Sequence, residues 1–277
     1  MNIDALPPLR ETLAAHDLLA RKSFGQHFLL DLNVTRKIAR LAGPFNGQAV
    51  IEVGPGPGGL TRALLETDAS KVIVVEKDRR FIPLLEELQA VSEGKLVVIE
   101  GDALEVDEAA LLAQYADSPV GHLVSNLPYN VGTPLLIKWL TGPWTPASLT
   151  LMFQKEVADR IAARPGADAY GRLGVISQAV CTARVVMDLP ARAFTPPPKV
   201  ASAVVRLDPH PERPPGALLS ALEQVTGAAF GQRRKMLRSS LKTLGGEALC
   251  ERAGVDPNAR AEVIDGAGFL RLAAALL

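Results

Sequence analysis

The stretch Val50-Ile51-Glu52-Val53-Gly54-Pro55-Gly56-Pro57-Gly58-Gly59-Leu60 restricts the fold more tightly than any other part of the chain. An apolar run enters a turn in which four glycines and two prolines fill six positions, and an amphipathic segment from Leu60 to Glu66 follows. That order predicts strand, tight turn, helix. Such a corner belongs to an open α/β sheet, whose ligands sit at the carboxyl ends of the strands. Glycine there admits positive φ and lets the backbone come close to a ligand. A plain packing turn is the alternative, but it needs no such contortion.

Gly54, Gly56 and Gly59 also satisfy the G-x-G-x-x-G spacing of dinucleotide enzymes. The prolines oppose that reading. A pyrophosphate is held by backbone N–H groups at the turn and helix start, and Pro55 and Pro57 have none. A nucleoside without phosphates fits better, and S-adenosylmethionine is the candidate.

Apolar runs recur downstream with helical segments between them. Lys71–Val75 ends at Glu76, Leu96–Glu100 at Gly101-Asp102, and Gly121–Ser125 at Asn126; Leu149–Phe153 reads as one more strand. Alternating strands and helices predict βαβ units and a parallel sheet covered on both faces. Glu76 lies about 20 residues past the glycine turn, where an acid accepts from ribose hydroxyls. Asp102 can accept from an adenine amino group. Either carboxylate alone could equally be a solvent-facing strand end; the pair around this loop favours a bound nucleoside.

Asn126-Leu127-Pro128-Tyr129 is the most specific chemical signal. An exocyclic amine on a nucleobase is a poor nucleophile, because its lone pair is delocalised into the ring. Acceptors on its two N–H bonds draw the nitrogen towards a tetrahedral geometry. The Asn126 amide oxygen and the Pro128 carbonyl are placed to supply them, and they act more strongly as positive charge develops. Tyr129 offers a face for an extruded base, worth roughly 1–3 kcal/mol. The competing reading is a strand-to-helix turn with a packed tyrosine. No metal site is expected: His16, His27, His122 and His210 are scattered, and Cys181 and Cys250 have no ligand spacing.

Other segments are less decisive. Residues 1–20 read as a leader and a helix carrying Leu9, Leu13, Leu18 and Leu19 on one face. Arg21–Asp31 mixes basic, aromatic and polar residues; composition favours an arm packing Phe24, Phe28 and Leu29 onto the sheet over contact with RNA and cofactor. Asn33 reads as the cap of the next helix. Ala179–Met187 and Val200–Leu207 suggest a final antiparallel pair. Phe194, ahead of three prolines, can either close over a base opposite Tyr129 or lie in the core. Asp208–Gly216 holds four prolines and reads as a linker. Residues 1–209 are thus expected to form an arm and a cofactor-binding domain, and 210–277 a helical RNA-binding domain. There, Arg233–Leu244 reads as a helix with Arg234, Arg238 and Lys242 in one stripe. Such a stripe suits a phosphate backbone, although most charge runs are solvated faces.

The 277 residues are 48% hydrophobic with zero formal net charge, so nucleic-acid contact must come from local patches. Two distant cysteines fit a reducing compartment. No secretory leader or membrane span is expected, which points to the cytoplasm.

Taken together these motifs resemble the ribosomal RNA adenine N6,N6-dimethyltransferase family. The resemblance is carried by Gly25-Gln26-His27-Phe28-Leu29, Glu52–Gly59, Glu76, Gly101-Asp102, Asn126-Leu127-Pro128-Tyr129-Asn130, Gln154-Lys155-Glu156-Val157, Phe194–Val205 and Phe230–Lys242. The basic helix and short helical tail point to its small-subunit branch rather than the large-subunit one. The resemblance implies a Rossmann-like class I S-adenosylmethionine-dependent methyltransferase sheet with a small all-helical C-terminal domain. It implies dimethylation of two adjacent adenosines in the 3′-terminal hairpin of 16S rRNA in an immature small subunit, with a part in late small-subunit assembly; nothing in the sequence demands a dimer, and a monomer is expected. It places His27, Leu29, Gly54, Glu76, Asp102 and Asn126 on the cofactor, and Asn126, Pro128, Tyr129 and Phe194 on the target base. His27 departs from the pattern, since many members carry asparagine there; either can hydrogen-bond a cofactor. Two rivals are another adenine methylase specificity and an assembly or transcription factor with methylation lost. The intact Glu76, Asp102 and Asn126–Tyr129 set argues against lost catalysis. A dinucleotide oxidoreductase would leave Asn126–Tyr129 unexplained.

Overall fold

A computed structural model of the chain describes residues 6–16, 18 and 26–277. Leu19 and the Arg21–Gly25 part of the arm, including Phe24, lie outside the described residues. The chain divides into two compact units. One comprises Met1–Leu136, Pro146–Lys155 and Val186–Arg206; the other comprises Ile137–Thr145, Glu156–Val185 and Leu207–Leu277.

In chain order the strands are β1 (Phe28–Leu29), β2 (Ala49–Val53), β3 (Val72–Glu76), β4 (Leu96–Glu100), β5 (Gly121–Asn126), β6 (Ser148–Gln154), β7 (Cys181–Leu189), β8 (Phe194–Thr195) and β9 (Ser202–Pro209). Seven of them form one sheet in the order β4-β3-β2-β5-β6-β9-β7. β2 pairs parallel with β3 on one side and β5 on the other. The chain order therefore reverses at β2, and a crevice opens beyond the carboxyl ends there. β2 and β3 are buried along their whole length, as expected of strands covered on both faces. Burying each such Val or Ile contributes about 1.5–3 kcal/mol.

The first unit also holds helices α1 (Leu9–Ala15), α2 (Leu32–Ala42), α3 (Gly59–Leu65), α4 (Ile82–Ala90) and α5 (Glu108–Tyr115). The cap of α2 is Asp31, not Asn33: the Asp31 carboxylate accepts from the Asn33 N–H at 2.9 Å. Asn33 is a donor in that turn. The Arg206 guanidinium donates to the carbonyls of Leu41 and Ala42 at the other end of α2.

β1 and β8 form a two-stranded antiparallel pair outside the main sheet, with Leu29 opposite Phe194. It seats the arm against the glycine loop. A Cβ placed on Gly59 would collide with the Leu29 carbonyl oxygen, and one on Gly56 would lie 3.1 Å from the Phe28 ring.

Helix α6 (Gly132–Thr141) is followed by α7 (Lys155–Ala162), α8 (Arg172–Val180), α9 (Gly216–Gly231), α10 (Leu237–Ser240), α11 (Gly246–Ala253) and α12 (Gly266–Leu276). In the second unit Phe230 stacks on Phe269 at 5.5 Å, and the buried Tyr170 meets Phe230 edge-on. The Tyr170 hydroxyl donates to the Ile264 carbonyl at 2.9 Å. The expected helix over Arg233–Leu244 is not continuous. Met236 is extended and bridges Arg260, and the N–H groups of Leu237 and Arg238 donate to the carbonyls of Ala259 and Pro257. Those tertiary acceptors replace the helical i−4 carbonyls, so only the four residues of α10 and a short 3₁₀ turn over Lys242–Leu244 are helical. Arg234, Arg238 and Lys242 are all exposed, but they do not share one helix face. The strand expected to end at Leu207 runs on to Pro209. No described helix is long and apolar enough to cross a membrane.

Gly59→Ala should overpack the contact with Leu29 and cost about 1–3 kcal/mol of stability, read by urea denaturation. An unchanged midpoint would mean that the arm does not sit on α3.

Candidate active site

A cleft in the first unit is lined by the residues that follow β2, β3, β4 and β5, and by the arm from Gln26 to Leu29. His27, Leu29, Gly54, Glu76, Asp102, Asn126, Pro128 and Tyr129 all line it. Phe194 does not. It is 2% exposed within the core cluster, opposite Leu29. Of the two sequence readings of Phe194, this structure has the core one, because the β1–β8 pairing draws the ring inward.

The backbone amides of the glycine loop are already engaged. The Gly54 N–H donates to the Val75 carbonyl, the Gly56 N–H to Glu76 Oε2 and the Gly58 N–H to the Pro55 carbonyl, each at 2.9 Å. Pro55 and Pro57 have no N–H. No amide from Gly54 to Gly58 is left for a phosphate, and two buried carboxyl groups, Glu52 and Glu76, lie in the wall. A pyrophosphate does not fit this loop; an uncharged ribose or a cationic group does. The positive φ values of Gly54, Gly56 and Gly58 (66°, 52° and 83°) give the loop its shape.

Glu76 Oε1 accepts from the Asp78 N–H at 2.7 Å. Each of its oxygens keeps a second lone pair for a ligand hydroxyl. Burial raises its pKa despite these two donors. Asp102 accepts from Lys77 Nζ at 2.6 Å and from the Leu104 N–H at 3.0 Å.

At the other end of the cleft, Asn126 Nδ2 donates to the His27 carbonyl at 3.1 Å. That bond fixes the sense of the amide, so Oδ1 is left as an acceptor without a donor among the described residues. The Pro128 carbonyl does not have that freedom. It accepts from the N–H groups of Val131 (3.1 Å) and Gly132 (3.0 Å), which open α6. A base amine would be its third donor. The Leu127 carbonyl, one residue earlier, accepts from no described residue. The expectation that Pro128 supplies the second acceptor is therefore displaced by helix initiation. Pro128 instead packs its ring against Gly54, where a Cβ would come within 3.3 Å.

The Tyr129 hydroxyl shares a hydrogen with Ser202 Oγ at 2.6 Å, and burial pushes the phenol pKa up. Its ring lies 5.4 Å from the His27 imidazole, tilted by 32°. His27 Nδ1 donates to the Pro196 carbonyl at 2.8 Å.

Sequence reasoning assigned no role to three further groups. Gln26 Nε2 donates to Asp78 Oδ2 at 2.9 Å, and Arg80 reaches the same oxygen at 2.6 Å. Burial alone would raise the Asp78 carboxyl; the Arg80 and Gln26 bonds outweigh it and hold the group below its usual range. The closeness of Asp78 to Glu76 in sequence was the available signal. The third group is Glu52, 1% exposed, whose Oε2 accepts from the Thr61 hydroxyl at 2.7 Å. Burial pushes it up to about 8, the Thr61 bond opposes this, and the Glu76 charge adds to it.

A carboxyl raised in the folded state stabilises the fold below its unfolded value, near 4.5, and loses that contribution as pH rises towards about 8. The unfolding free energy should therefore fall across that window, and Glu52→Gln should flatten the slope. Glu76 shifts in the same direction, so some slope remains. An identical slope in the variant would show that Glu52 is not the group responsible.

The comparisons with known proteins bear on the whole chain. The family model described as "Ribosomal RNA adenine dimethylase" matches residues 18–276. Ribosomal RNA small subunit methyltransferase A of Phenylobacterium zucineum is 70% identical over 277 residues, spanning 100% of this chain and 95% of that protein. The protein of the same name from Caulobacter vibrioides is 72% identical over 259 residues, spanning 94% and 98%. Among solved structures, a dimethyladenosine transferase from Plasmodium falciparum superposes with a TM-score of 0.73 at 26% identity, covering 89% of this chain and 96% of that one. The 23S rRNA methyltransferase ErmE gives 0.67 at 27% identity, with 90% and 99% covered. A family match over nearly the whole chain, with relatives at 70–72% identity, shows that the chain belongs to the ribosomal RNA adenine dimethylase family.

Proposed function

We propose that this protein transfers methyl groups to the N6-amino groups of two adjacent adenosines in the 3′-terminal hairpin of 16S rRNA, leaving N6,N6-dimethyladenosine at both. The observation that carries the proposal is the Asn126 amide, held through Nδ2 so that Oδ1 is the open acceptor. S-adenosylmethionine supplies, when bound, a methyl group on a sulfonium centre. The donor set suits it: Glu76 accepts from the ribose hydroxyls and Asp102 from the adenine amino group. Gly54, Leu29, His27 and Asn126 line the rest of its site.

In the first transfer Asn126 Oδ1 accepts one N–H of the target amine and the Leu127 carbonyl the other; in the second transfer the methylamine has one N–H left, and Asn126 Oδ1 holds it. These bonds strengthen as positive charge develops on the nitrogen, which lowers the barrier; each transfer would form an N–C bond as the sulfonium S–C bond breaks, and the cationic amine then loses one N–H proton to solvent. Tyr129 stacks on the extruded base, with its hydroxyl anchored by Ser202. Phe194 anchors β8, and through it the arm, from within the core. The exposed Arg234, Lys235, Arg238 and Lys242 serve as phosphate contacts within residues 210–277, the RNA-binding part of the chain. The small-subunit target is favoured over the large because full-length relatives at 70–72% identity carry the small-subunit name, against 27% for ErmE. The protein acts as a monomer on the immature small subunit in the cytoplasm, late in its assembly. Its buried free cysteines, with thiol pKa values raised by burial, fit a reducing compartment.

Tritiated methyl transfer to 30S subunits that lack the modification, with 50S subunits alongside, tests the reading. Labelled dimethyladenosine near the 3′ end of 16S rRNA is expected. Label in 50S subunits alone would move the chain to a large-subunit specificity. Asn126→Ala should lower kcat by about 10²–10³-fold and change cofactor affinity far less. Undiminished turnover would remove Asn126 from the amine.

A further inference from the structure

Glu52 is a titratable group that the methyl-transfer chemistry above leaves without a task. It sits at the carboxyl end of β2, under the glycine loop, and lines the cleft at 1% exposure. The Thr61 hydroxyl is its one hydrogen-bond donor among the described residues. Its Oε1 has no donor among the described residues, and the side chain is part of the cleft lining. Glu76, on the neighbouring strand, is better provided, with two backbone N–H donors.

No lysine, arginine or histidine pairs with Glu52 among the described residues. On α3, Arg62 donates to the Pro7 carbonyl. Beyond β3, Arg80 forks Asp78, and Lys77 pairs with Asp102 at the end of β4. The arm brings His27, whose Nδ1 is on Pro196, and the end of β5 brings Tyr129, bonded to Ser202. Burial without a paired cation disfavours the Glu52 carboxylate, and the charge of Glu76 in the same wall adds to this. The less well solvated of the two is the one to hold a proton.

We propose that the Glu52 carboxyl is protonated in the ligand-free protein and releases its proton to solvent when a cationic nucleoside enters the cleft, so that cofactor binding is a proton-releasing step. This rests on the S-adenosylmethionine reading. The ligand's positive charge takes the place of the missing counter-ion, and Glu52 meets it as a carboxylate. Loss of that charge after methyl transfer returns the proton to Glu52 and weakens the hold on the product. A neutral or phosphate-bearing nucleotide gains nothing from this residue, so Glu52 is also a selectivity determinant.

The test is calorimetric titration of S-adenosylmethionine into the full-length protein at about pH 7, in phosphate and in Tris. The two buffers differ in ionisation enthalpy, and the difference in measured heat counts the protons released. Close to one proton per ligand is expected, with affinity rising up to about tenfold per pH unit below neutrality. Glu52→Gln should bind more weakly, release almost none and show a nearly flat pH profile. If that variant does not fold, Thr61→Val removes the donor that favours the carboxylate and should move the rise in affinity to higher pH. Wild-type binding without proton release overturns the proposal and leaves the cofactor assignment standing. Equal release from Glu52→Gln would place the proton elsewhere and overturn it too. No binding at all would overturn the cofactor reading and the proposal together.

Discussion

The hydrogen bond from the Gly56 N–H to the Glu76 carboxylate holds the working part of this molecule together. It ties the turn after β2 to the end of β3, and with Gly54 on Val75 and Gly58 on Pro55 it engages every amide that the loop's prolines leave. The loop therefore has a fixed shape and little affinity for phosphate. Fixing it also decides its neighbours. Phe28 fills the space that a side chain at Gly56 would occupy, Pro128 does so at Gly54, and the Leu29 carbonyl lies where a Cβ of Gly59 would be. Three glycines thus act as contact surfaces for the arm and for the turn after β5. Charge follows from the same bond, because it brings a buried carboxylate beside a second buried acid, Glu52, and makes the wall receptive to a cation.

Much of this was legible in the sequence, for physical reasons. Strands buried on both faces read as unbroken apolar runs, so β2 to β6 appear where expected. Glu76 and Asp102 follow from topology, since a parallel sheet brings successive strand ends to one rim. What resisted reading depends on partners far away in the chain. The pairing of β1 with β8 spans two residues on each side and has no period to detect. Phe194 is drawn into the core by that pairing. Arg233–Leu244 has helical composition, but carbonyls at Pro257 and Ala259 capture its N–H groups. The Pro128 carbonyl looked free because the helix that takes it up begins four residues later, at Gly132. In each case a local preference was overruled by a hydrogen-bond acceptor or donor that only the tertiary structure supplies.

The arm joins the two ends of the cleft. Gln26 is held by Asp78 and Arg80 at the Glu76 end of the cleft, and Phe28 and Leu29 rest on the glycine loop. Between them, the His27 ring is bonded to Pro196 and lies beside Tyr129, and its peptide carbonyl takes Asn126 Nδ2. Four consecutive residues therefore touch the loop, the acid and the amide. This also accounts for an amide rather than a carboxylate at position 126. Aspartate would leave an oxygen open to the cleft as asparagine does, but its other oxygen would face the His27 carbonyl, acceptor against acceptor. Asparagine meets that carbonyl with a donor, and the same bond that seats the arm leaves Oδ1 as an open acceptor in the cleft. The arm's contact with the amide and the direction in which Asn126 Oδ1 faces are set by one hydrogen bond.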